Sequence, residues 1–152
     1  MVAGIAALLA TALVLAACGG GGGDDTGGDV TLDQATVTSN LEDAGYAVAE
    51  ASPGQSALPS LVDADFATGP DSGFESAIQV SGNGLKPFDP TDVSETGFVL
   101  LYSDADAATA ADDGIGDGPG QQVEGNALFI YGTGLDEPPQ EFTDMVAAAT
   151  GQ

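Results

Sequence analysis

Hydrophobic positions along the chain recur at two spacings, and the change from one to the other marks the elements. Val37, Leu41 and Ala44 stand at helical intervals, and Gly45 is a natural stop. Thr31 with Gln34 makes a capping-box pattern, with Val30 and Ala35 as its staple. The spacing therefore predicts a helix over about 32–44. YAVAE (46–50) places Tyr46 and Val48 on one face of a short strand. Residues 51–73 carry Pro53, Gly54, Pro59, Gly69, Pro70 and Gly73 and read as loop. Leu58, Leu61, Val62 and Phe66 are expected to pin that loop onto the core. FESAIQV (74–80) puts Phe74, Ile78 and Val80 on one face and Glu75 and Gln79 on the other, which is a half-exposed strand. SGNG is a turn, and LKPFDPTDVSETG (85–97) is a long surface connection.

The second half is more apolar. FVLLY (98–102) is continuously hydrophobic and predicts a central strand. Ser103 with Asp106 caps an alanine-rich helix over about 104–113, and Ala107, Ala110 and Ala111 give it a small face that suits close packing on a sheet. DGIGDGPG (113–120) breaks the chain, and NALFIY (126–131) is a second central strand. A last helix runs over about 140–150, with Phe142, Met145, Val146 and Ala149 on one side and Gly151 as its end. The strands come in runs. The expected fold is α+β: a four-stranded, mainly antiparallel sheet with helices packed on one face, forming one domain over 30–152. The strand–helix–strand piece over 98–131 is expected to be a right-handed parallel crossover.

Ahead of that domain the pattern is different. MVAGIAALLATALVLAA (1–17) has no charged side chain. Its apolar run is shorter than the ~20 residues a spanning helix needs and suits the core of an export signal. It ends in Leu15-Ala16-Ala17-Cys18. These four residues resemble the lipobox of bacterial-type lipoprotein signal peptides: a leucine, two small residues, then cysteine. The resemblance implies cleavage after Ala17 and a diacylglyceryl group on the Cys18 thiol. Cys18 would then be the first residue of a protein held by its lipid on the extracytoplasmic face of the cell membrane. One departure is the absence of Lys or Arg before the apolar run. A basic stretch upstream of Met1 is the expected remedy. GGGGGDDTGGD (19–29) follows, a flexible coil with an end-to-end distance of about 20 Å. The organisation read here is signal peptide 1–17, lipidated Cys18 with its tether to residue 29, and the domain. The strand, capped alanine-rich helix, short apolar strand and final amphipathic helix are similar in layout to small lipoproteins of uncharacterised function. That resemblance implies no activity.

Charge narrows the partners. Against 24 acidic residues there is one base, Lys86, and the formal net charge is −23. Such a surface repels nucleic acid and anionic headgroups, so contact with the membrane is expected through the lipid on Cys18 alone. It also repels itself, and salt near 1 M would shorten the Debye length to about 3 Å. The composition therefore points to a high-salt habitat.

Composition also removes most catalytic kits. There is no His and no Arg, and the resemblance implies that the single Cys carries lipid, so neither a Ser-His-Asp arrangement nor a His- or Cys-rich zinc site is available. Asp25-Thr26-Gly27 and Asp71-Ser72-Gly73 match aspartic-protease triplets, but neither follows an apolar strand, and turn chemistry accounts for them. Tyr46, Tyr102 and Tyr131 fall in predicted strands and are expected in the core rather than in a sugar-binding cleft. Lys86 is expected to pair with a nearby Asp. Asp104, Asp106, Asp112, Asp113 and Asp117 form the densest acidic cluster, and oxygen ligands suit Ca²⁺. The spacing fails the EF-hand pattern at Ala108 and Thr109, so helix capping and a solvated loop compete with an ion site there. The function expected is a non-enzymatic binding or scaffolding domain at the cell surface with an unknown surface partner and no cofactor. The alternative is a divalent-cation module built on the 104–117 loop.

Overall fold

A computed structural model describes residues 30–51, 68–87, 89, 95–115, 120–131 and 139–152. Its elements follow in the order α1 (Gln34–Asp43), β1 (Ala47–Ala51), β2 (Phe74–Ser81), β3 (Gly97–Tyr102), α2 (Ala105–Ile115), β4 (Gln121–Glu124), β5 (Ala127–Tyr131) and α3 (Gln140–Thr150). The fold is α+β, with five strands in one sheet, ordered β1-β2-β3-β5-β4, and every neighbouring pair is antiparallel.

Two parts of the expected architecture are corrected. The sheet has five strands rather than four. The additional one, β4, is an edge strand, and of its residues QQVE only Val123 is apolar, so it carries no alternation to read. Helices also cover both faces rather than one. On one face α1 and α3 bury Val37, Leu41, Phe142 and Met145 against Ile78, Val80, Val99, Leu101 and Phe129. On the other, Ala108 and Ala111 of α2 pack with Phe98, Leu100, Tyr102, Leu128 and Ile130. Covered on both faces, β3 and β5 are buried at every position, which is why FVLLY and ALFIY read as unbroken apolar runs.

The connection over 98–131 is corrected too. β3 and β5 are antiparallel neighbours, paired from Gly97↔Tyr131 to Leu101↔Ala127. β4 runs in the direction of β3, because each is antiparallel to β5. The chain leaves β3, passes through α2, enters the far edge as β4 and returns inward as β5 through the Gly125-Asn126 turn.

Local chemistry sets the boundaries. α1 begins two residues later than the capping-box pattern predicts. Its cap is Asp33, whose Oδ1 accepts from the Thr36 amide at 3.0 Å and whose Oδ2 accepts from the Thr36 hydroxyl at 2.6 Å. Val30, the expected staple, is 53% exposed. α3 spans the predicted residues and closes on Gly151, whose φ of 73° lets the Gly151 and Gln152 amides reach the Ala148 and Ala147 carbonyls. After β2, Asn83 and Gly84 take φ of 50° and 99°, the two left-handed positions of a tight hairpin turn that Gly82 and Leu85 close. The Asn83 side chain then donates to the Ala44 carbonyl at 3.1 Å and ties this turn to the end of α1.

In β2 the predicted faces hold for Ile78 and Val80 but not for Phe74. The pairing slips by one residue between Phe74 and Ser76. That irregularity turns Phe74 to the α2 face, edge-on to Tyr102 with ring centroids 6.0 Å apart.

Candidate functional site

The region with most claim to function surrounds the start of α2. The turn over 69–72 is closed by the Ser72 amide and hydroxyl, which donate to the Gly69 carbonyl at 3.1 and 2.7 Å. Gly73 follows with φ of +71° and lies hard against the helix. A Cβ there would stand 2.8 Å from Ser103 Oγ and 2.9 Å from Ala107 Cβ, so only glycine allows this approach. The Ser103 amide donates to the Gly73 carbonyl at 2.8 Å and joins the two segments. Between them lies a groove of about 490 Å³, floored by Ala107, Ala110 and Ala111 and rimmed by Asp71, Ser72, Ser103 and Asp104. The small alanine face read from the sequence thus serves both packing and this opening.

Asp104 is the helix cap, a role the pattern assigns to Ser103. Its Oδ1 accepts from the Ala107 amide at 2.8 Å, and Ser103 Oγ donates to its other oxygen at 3.2 Å. Asp106 lies in the first turn and adds negative charge where the helix dipole favours it. Asp112 is half-buried and Asp113 exposed on the last turns. At 1.5 Å of rise per residue they stand about 12 Å along the axis from Asp104. The helix therefore spreads these aspartates instead of gathering them, and Asp117 lies outside the described residues. Among the described residues no group of three or more acidic side chains is placed to hold a metal ion. Cys18, Asp25 and the loop residues Leu58, Leu61, Val62 and Phe66 also lie outside the described residues. Among the described residues no helix is long and apolar enough to cross a membrane.

Asp71 of the second protease-like triplet sits in the 69–72 turn. The three tyrosines are core residues, as predicted: Tyr46, Tyr102 and Tyr131 are all buried. Burial raises the phenol of each above its ordinary value, most of all that of Tyr102. Lys86 forms an ion pair with Glu95, a glutamate rather than the aspartate expected, and the Lys86 amide donates to the Glu95 carbonyl at 2.8 Å.

One buried polar group with several partners is one that sequence reasoning missed. Asn126 is 4% exposed. Its Oδ1 accepts from the Leu32 amide at 2.6 Å, and its Nδ2 donates to the carbonyls of Leu32 at 3.0 Å and Tyr102 at 2.8 Å. Its own carbonyl accepts from the Tyr102 amide at 2.9 Å. Beside it, the Val30 carbonyl occupies the space that a Gly125 Cβ would take. Gly125 and Asn126 together clasp the chain where it enters the domain. The only signal for this in the sequence is the Gly-Asn pair before an apolar run, which marks a turn and gives no hint of a partner.

Among the described residues, Val30 is the only large hydrophobic side chain that is exposed. Comparison of this chain with family models, with curated proteins and with solved structures finds no match.

Proposed function

We propose that this chain is a lipid-anchored protein of the extracytoplasmic face of the cell membrane. Its small domain binds a surface partner without catalysis, and it is adapted to high salt. The observation that carries the reading is the order Leu15-Ala16-Ala17-Cys18, then a Gly/Asp stretch, then packed structure. Leu32 is the first buried residue among those described, and Asn126 clasps it. In this reading the Gly/Asp residues 19–29 serve as the tether that leads to it. The binding surface in this reading is the groove on α2, whose alanine floor offers apolar contact and whose Ser72, Ser103 and Asp71 offer polar contact.

One experiment in a bacterial host that processes lipoproteins tests both halves. The wild-type chain is expected in the membrane fraction and the Cys18→Ser chain in the medium. Retention of Cys18→Ser on the membrane would replace the lipid with an uncleaved apolar anchor. A photoreactive residue at exposed Ala110 is expected to capture a surface molecule, while one at exposed Asp43, on the opposite side of the sheet, captures none. Equal capture at both positions, or none at either, removes the groove as the binding surface.

A further inference from the structure

No further inference is drawn: the strongest candidate, the groove between the alanine face of α2 and the 69–73 turn, combines a helix N-terminus with a stripe of small residues, belongs to the site already described, and has no second feature beside it that points to a ligand.

Discussion

Asn126 holds four hydrogen bonds in a position where its neighbours only pack. Cutting it to alanine leaves the Leu32 amide and the Leu32 and Tyr102 carbonyls buried without their partner. Each such group costs about 1–3 kcal/mol, so Asn126→Ala should lower the unfolding free energy by at least about 3 kcal/mol in urea titrations. Asn126→Asp keeps the acceptor for the Leu32 amide but turns a carboxylate toward two carbonyls. It should be no better than alanine, and near-wild-type stability of either variant would refute the clasp. Asp33 makes a smaller prediction with a definite pH dependence. Hydrogen bonds from the Thr36 hydroxyl and amide hold its carboxyl below the ordinary 3.8. The cap is therefore fully in place above pH 3.8 and fades as the pH falls through the lowered value of the folded state. Asp33→Ala should melt below wild type at neutral pH, and the gap should close in acid. A gap that persists unchanged at pH 2 would separate the cap from the charge. Neither residue was fully legible in the sequence. The capping signal was real but stood at Asp33 rather than Thr31. Asn126 acts on a segment 94 residues away, which no local pattern encodes.

Elements whose burial follows one clean period could be read directly. α3 has its four apolar residues on one side and a glycine stop, and it forms over the predicted residues. β3 and β5 are central because an unbroken apolar run is tolerated only where both faces are covered. The same fact requires helices on both sides of the sheet rather than on the one face expected. β4 escaped because an edge strand of Gln, Gln, Val and Glu has almost nothing to bury. Without it, the two apolar strands around α2 looked like a parallel pair. Phe74 was placed on the wrong face because parity counting assumes no bulge. The groove was half legible: the alanine face stood in the sequence, but its opposing wall depends on Gly73 meeting the helix. α2 also carries a prediction of its own. Asp104→Ala removes the acceptor for the Ala107 amide and should cost about 1 kcal/mol. Asp106→Asn, which caps nothing, should cost less. If the two substitutions were equal in thermal melts, general charge near the helix start would explain the effect and capping would not.

Over the whole molecule the dominant quantity is the charge of −23. The ion pair of Lys86 with Glu95 is half-exposed and offsets little of it. Salt should do what paired side chains do not. Between 0.1 and 2 M NaCl the melting temperature should rise, by about 4 °C or more for each kcal/mol of repulsion screened. A flat or falling curve would count against the high-salt reading and leave merely an acidic domain. Anchorage at Cys18 would give the clasp at Leu32 a further, mechanical meaning. Any tension between the membrane and the domain, from flow or from a partner pulling away, would enter through Val30 and Leu32. The load would pass through the Asn126 side chain to the turn between β4 and β5 and to the end of β3, and through the buried Leu32 side chain to the core under α1 and α3. The force at which the entry segment comes loose would then be set by one asparagine and one buried leucine rather than by the sheet.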